Sequence, residues 1–298
     1  MTIQSRAAFR SAVLHHLCDP LAGTRPESAG RGGSISSAGA AAALNAAATL
    51  WFVVAVFGQW VFAAYVAVFY GRAAVQGEFE TWNKVMPAGY ISGHTMHNLI
   101  LALHLTFVVV ILFGGALQLT PAVRRLWPRF HRWNGRVYLF SALLLSVGGL
   151  YMVWTRNTGG DVWQHLSTSI NALLIIGCGA MALRYALARN SDLHRRWALR
   201  LFLVVGGVWF FRIGLMFWIL VNRGPVGFDP HTFRGPALTI IAYSQYLVPL
   251  AVLELYFHAR DRAGPRGRVA MASALVVLTL MTATGIFAAS MMMWLPRL

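Results

Sequence analysis

Seven long apolar stretches punctuated by short polar ones dominate the chain, at 41–70, 96–119, 134–155, 165–187, 195–221, 237–258 and 269–293. Such stretches reach the length of about 20 residues that crosses a hydrocarbon core of about 30 Å. In lipid an open strand would leave backbone groups unpaired, so every stretch is expected to be an α-helix. Pro121, Pro128, Pro225, Pro236 and Pro265 fall between the stretches and mark the breaks. Pro249 lies inside the sixth and predicts a kink there. Residues 1–38 carry Arg6, Arg10, Arg25 and Arg31 among Ser, Gly and Ala, and read as a disordered, uncleaved tail. The expected organisation is that tail followed by one transmembrane domain over 39–298, an all-α polytopic membrane helical bundle of about seven transmembrane helices with a duplicated four-helix core at about 96–221.

Composition agrees with this pattern. Hydrophobic residues make up 57% of the 298 positions and charged residues 11%, against about 25% charged in an average soluble domain. An ordinary cytosolic enzyme, a disordered protein and a disulfide-stapled module are thereby excluded. Cys18 in the tail and Cys178 inside an apolar run are not expected to pair. The net charge of +16 is mostly a topology signal. Eighteen basic residues fall in the tail and in the loops around 124–136, 184–200 and 260–268, whereas the other side holds six: Arg72, Lys84, Arg156, Arg223, Arg234 and Arg297. That asymmetry predicts a multi-pass protein of a bacterial inner membrane with a cytoplasmic N-terminus and a periplasmic C-terminus. Its expected partners are membrane lipids, with anionic headgroups on the cytoplasmic side, and no nucleic acid.

Two hairpins carry histidines on one plan. His104-Leu105-Thr106 leads to His131-Arg132-Trp133, and His165-Leu166-Ser167 leads to His194-Arg195-Arg196-Trp197. The four imidazoles are expected at two depths, with His104 and His165 in the outer half and His131 and His194 at the inner ends. Neutral imidazole is the usual axial ligand of a b-type haem held between helices. Two haems stacked in this way would pass electrons across the bilayer, to or from a donor or acceptor protein or a quinone; an enzyme of this kind would be a membrane oxidoreductase. The bland reading of His131 and His194 is interfacial anchoring beside Arg and Trp. Gly114, Gly115, Gly135, Gly177, Gly179, Gly206 and Gly207 would admit a flat macrocycle or, as is usual in membrane helices, close helix packing.

A further cluster lies towards the outer end. On a helix of about 100° per residue, His94, His97 and His104 fall at about 0°, 300° and 280°, on one face. Arg212 is expected near the depth of His104 with no acidic partner closer than Asp161, and would balance a haem propionate, a quinone oxygen or a carboxylate. A transition metal, Cu or Zn, is the rival occupant of His94, His97 and His104. Since His97 and His104 lie about 10 Å apart along the axis, one ion would take His94 and His97 with His165 or His231. Glu254 and His258 form an i, i+4 pair that reads as interfacial solvation. No phosphate loop, Ser-His-Asp set or H-E-x-x-H stretch is present.

The stretch Pro128-Arg129-Phe130-His131-Arg132-Trp133-Asn134-Gly135-Arg136-Val137-Tyr138, preceded by Gly114-Gly115-Ala116-Leu117-Gln118 and followed by His194-Arg195-Arg196-Trp197-Ala198-Leu199-Arg200, resembles the DUF2306 family of bacterial predicted membrane proteins. The resemblance covers about 96–220 and leaves the last two spans outside. It implies a membrane protein of no established reaction, with His104, His131, His194 and Arg212 at the family's recurrent positions and His165 outside them. The histidine spacing is also similar to that of transmembrane di-haem b-type cytochromes, an analogy of layout. The leading expectation is therefore a b-type haem protein for transmembrane electron transfer, its ligands His104, His165, His131 and His194. The alternatives are a non-haem binding or transport protein with an outward-facing His/Arg cavity for a metal, quinone or small anion, and a structural subunit whose histidines only anchor loops.

Overall fold

The computed structural model describes residues 36–86, 89–155 and 160–298. The expectation of a disordered tail over 1–38 thus falls almost wholly outside the described residues. Every long element described is a helix: α1 (Ser37–Gln76), α2 (Thr95–Leu119), α3 (Pro121–Leu126), α4 (Pro128–Thr155), α5 (Val162–Leu187), α6 (Ser191–Val205), α7 (Gly207–Asn222), α8 (Pro236–Asp261) and α9 (Pro265–Ala289). A short 3₁₀ turn, Phe79–Lys84, lies between α1 and α2.

Local chemistry sets the helix ends. Ser36 Oγ accepts the Gly39 amide at the start of α1, Asp161 accepts that of Gln164 at the start of α5, and Asn190 accepts that of Leu193 at the start of α6. Pro121, Pro236 and Pro265 stand in the first turns of α3, α8 and α9, where a missing N–H costs nothing. Helix α8 runs on through Pro249 without ending. Large apolar side chains such as Phe57, Leu173 and Val277 face outward from α1, α5 and α9, at 63%, 63% and 56% exposure. On a soluble protein that surface would drive association; here it is the face turned to lipid.

Six of these helices are long and apolar enough to cross a membrane. The expected span 195–221 is different: it is built from α6 and α7, which meet at a 51° bend. The bend falls at Gly206-Gly207, where amide side chains from other helices pack close to the backbone. A Cβ on Gly206 would come within 3.3 Å of Gln59 Nε2 from α1, and one on Gly207 within 2.8 Å of Asn171 Nδ2 from α5. Paired glycines and inserted polar side chains are ordinary causes of a sharp kink.

In the bundle α2 packs on α4, α4 on α5 and α5 on α6, while α1 packs on α9 and α2, and α7 on α8 and α9. The two expected hairpins are therefore neighbours, and α1, α8 and α9 enclose them. Polar side chains fasten the interior. Asn134 Nδ2 donates to the Gly114 carbonyl (2.9 Å) and to Gln118 Oε1 (3.0 Å), joining α4 to α2. Ser167 Oγ donates to the Ala242 carbonyl at 2.7 Å, joining α5 to α8. Such bonds serve as interhelical glue where there is no water to compete.

Candidate functional site

The principal cavity, about 1190 Å³, opens among the arginine-rich helix ends and continues as an apolar cleft along α7, α8 and α9. His131 and His194 both line it, with Arg124, Arg132, Arg136, Arg189 and Arg195 around them. Its deeper wall carries Phe210, Phe217, Val248, Leu275 and Met281. The two imidazoles are near enough for their charges to act on each other. So the structure brings the inner pair together.

Their hydrogen bonds define which ring nitrogen is available. His194 Nδ1 lies 2.9 Å from the Ala182 carbonyl, which can only accept, so Nδ1 carries the proton and Nε2 keeps its lone pair. Gln118 Oε1, on α2, is engaged by Asn134 of α4, which leaves the Gln118 amide nitrogen to donate towards His131 Nε2 at 3.4 Å. His131 Nδ1 is buried without a hydrogen-bond partner. A carbonyl-bound Nδ1 with a free Nε2 is the usual second-sphere arrangement of an imidazole that ligates through Nε2. His194 has it; His131 holds its Nε2 only by a long bond.

Among the described residues the ion pairs are Arg196–Asp261, Arg200–Glu254 and Arg260–Asp261. Glu254 thus pairs with Arg200 of α6, at 2.7 Å, rather than serving His258. Arg196 and Arg200 also lie over the Phe257 ring, at 4.7 and 5.4 Å. Among the described residues the arginines lining the cavity form no ion pair, so its mouth is cationic while its wall is apolar.

The outer histidines are arranged otherwise. The His104 ring lies against α4, with Nδ1 3.8 Å from where a Gly148 Cβ would stand and Cε1 3.9 Å from that of Gly149. His165 instead packs edge-on to Trp154, ring centroids 5.8 Å apart. Those α4 positions are six residues apart, about 9 Å along the helix and about 120° around it. His97 Nε2 is 3.1 Å from Tyr151 Oη, and the His94 ring is 5.5 Å from that of His97. Among the described residues no three His, Cys, Asp or Glu side chains gather as a metal group, so His94, His97 and His104 do not form one. His231 belongs to a tight turn in which its amide and the Thr232 hydroxyl donate to Asp229. These bonds hold the Asp229 carboxyl below the usual range.

Arg212 does lie near His104, as its depth predicts, and its charge acts on that ring. Its nearest expected acid, Asp161, caps α5 instead. The glycines mostly serve packing: a Cβ on Gly115 would meet Tyr138 at 2.9 Å and one on Gly135 would meet Gln118 at 2.8 Å, so side chains already occupy the space a macrocycle would use there. Gln118, Asn134 and the Ala182 carbonyl were not expected to shape the site. The first two had a signal, being amides set in apolar helices beside a basic loop; a backbone carbonyl has none.

Comparison with known proteins adds one match. The model of the family described as Predicted membrane protein (DUF2306) matches residues 101–257, from α2 through most of α8. It covers both histidine hairpins, Arg212 and, beyond the resemblance over 96–220, the span that walls the cavity. No curated protein and no solved structure matches the chain. With more than half of its length matched and a bundle of membrane-crossing helices, the chain belongs to the predicted membrane protein family DUF2306.

Proposed function

We propose that the chain is a b-type haem protein of the membrane, holding haem b in the cavity between His131 and His194 and passing electrons one at a time. The observation that carries this reading is the pair of imidazoles, on helices α4 and α6 that both pack on α5, lining one cavity whose mouth holds arginines without an ion pair among the described residues. A flat apolar ring with two carboxylates matches a wall that is apolar and a mouth that is basic. His194 Nε2 is free to ligate, and His131 Nε2 would exchange its 3.4 Å contact with Gln118 for the iron. Arg132, Arg136 and Arg195 would pair with the propionates. When bound, the haem supplies a one-electron couple; the chain's own residues orient it, neutralise its carboxylates and keep water from its faces.

The proposal rests on the inner pair alone, because His104 and His165 have separate surroundings on α4. On this reading, which the bias of arginines supports, the cavity faces the cytoplasm across a bacterial inner membrane and the C-terminus faces the periplasm. The electron partner is then a cytoplasmic donor protein or a quinone, whose apolar tail the cleft along α7, α8 and α9 would accept. The test is optical. Protein purified after expression with haem supplied should show a Soret band and sharpened visible bands on dithionite reduction. Colourless protein under those conditions overturns the proposal.

A further inference from the structure

Arg212 stands midway along α7, in the half of the bundle that ends at the 223–235 loop and the C-terminal turns. Its Cζ lies 5.1 Å over the Phe62 ring of α1. The hydrogen bond it makes is a 3.4 Å contact with the Val208 carbonyl of its own helix. A guanidinium has five N–H donors, so most of its capacity is unspent. The acids that form ion pairs among the described residues, Glu254 and Asp261, lie at the opposite end of the bundle.

The end of the chain folds back onto this residue. A π turn over Ser290–Trp294 and a 3₁₀ turn over Leu295–Arg297 follow α9. They set the Trp294 ring 5.3 Å from Phe62 and 6.2 Å from Tyr65. Trp294 and Tyr65 are 1% and 3% exposed; the indole Nε1 has no hydrogen-bond partner, and the phenol Oη has beside it the Arg297 guanidinium, which cannot accept its proton. Arg297, exposed and with its Nη1 donating to the Met293 carbonyl at 2.8 Å, comes near enough for its charge to act on both Tyr65 and Arg212. His104, whose Nδ1 is likewise buried and unpartnered, lies beside Arg212 as a neutral ring.

Each member of the cluster is a cation, a donor or an aromatic wall, and no acidic side chain belongs to it. Guanidiniums with no anion between them repel in a medium of low dielectric, and buried donors without acceptors are costly. Negatively charged oxygens would relieve both. We propose that Arg212 and Arg297, with Tyr65 Oη and Trp294 Nε1, bind a phosphate group, at a site apart from the histidine cavity, whose lining includes none of the four. A carboxylate offers two oxygens and one charge; a phosphate offers more acceptors and up to two charges, which suits two guanidiniums and two neutral donors. The phosphate comes either free or as the phosphomonoester headgroup of an anionic lipid. Met291 and Met292, beside Trp294, are 53% and 47% exposed and would meet the acyl chains of such a lipid.

Thermal unfolding of the purified full chain tests this whether or not haem is present. Inorganic phosphate, titrated against chloride at constant ionic strength, probes the free source. Phosphatidic acid in phosphatidylcholine nanodiscs, against phosphatidylcholine alone, probes the lipid source. Saturable stabilisation by either probe is the expected result, and the probe that acts identifies the source. Arg212→Gln and Arg297→Gln should each raise the half-saturating concentration about tenfold or more, and Tyr65→Phe by a few-fold. Should Arg212→Gln fail to fold, Arg297→Gln and Tyr65→Phe carry the same comparison. Wild type stabilised by neither probe, or stabilised no more than the arginine variants, overturns the site.

Discussion

Hairpin α2–α4 and hairpin α5–α6 bring His131 and His194 to the same cavity, yet they hold them by different means. In the first, Gly114 and Gly115 let Asn134 and Tyr138 pack tightly, Gly135 does the same for Gln118, and the network Asn134–Gln118–His131 orients the imidazole through side chains. In the second, the imidazole hangs on the Ala182 carbonyl of the preceding helix, and nothing fills the space over Gly177. The second hairpin also breaks at Gly206-Gly207, whereas α4 is unbroken. Similar sequence plans thus give one rigid, side-chain-fastened support and one that depends on backbone placement and tolerates a bend. What differs is where amides and small residues let two helices approach.

The largest expected effect separates the histidines. His194→Ala or His131→Ala should abolish most haem retention, read as the Soret absorbance per protein, while His165→Ala should leave it intact; haem lost only from His165→Ala would move the site to the outer half. Next comes the tightness of the first hairpin. Gly115→Val would drive a side chain into Tyr138 and Phe202, a destabilisation of about 1–3 kcal/mol by overpacking. Gly177→Ala, with open space around it, should instead be neutral or stabilising by up to about 1 kcal/mol. Unfolding in mild detergent reads both, and equal behaviour of the two glycines would erase the contrast. Asn134→Ala should cost about 1 kcal/mol and, with the amide bond to Gln118 gone, lower haem occupancy. An unchanged spectrum would mean that the network does not orient His131. Smallest is Glu254→Gln, since Arg200–Glu254 is half exposed on the glutamate side; a loss of at most about 1 kcal/mol, weakening further in salt, is expected.

Much of the fold was legible because membrane helices announce themselves by length and apolarity. Six spans agree with the apolar stretches to within several residues, and four of the five prolines between stretches, all but Pro225, sit where helices start. The bend in the remaining span was not legible. Gly206-Gly207 is one of several small-residue pairs in the chain, and only Gln59 and Asn171, far away in sequence, make it the place where the helix turns. Hairpin spacing gave each histidine pair an expected depth, but depth along a helix says nothing about which face a ring takes. His104 and His165 share an expected level and still pack on different parts of α4.

Hydropathy, proline placement and the arginine bias by themselves determined a bundle of membrane-crossing helices, since each rests on transfer from water to lipid, a property of one segment at a time. Tertiary structure alone decided which imidazoles share a cavity, where span five bends and that Arg212 lies over the Phe62 ring, within reach of the charge of Arg297. Those outcomes depend on rotation of helices about their axes and on contacts between residues far apart in the chain, quantities that no single segment encodes.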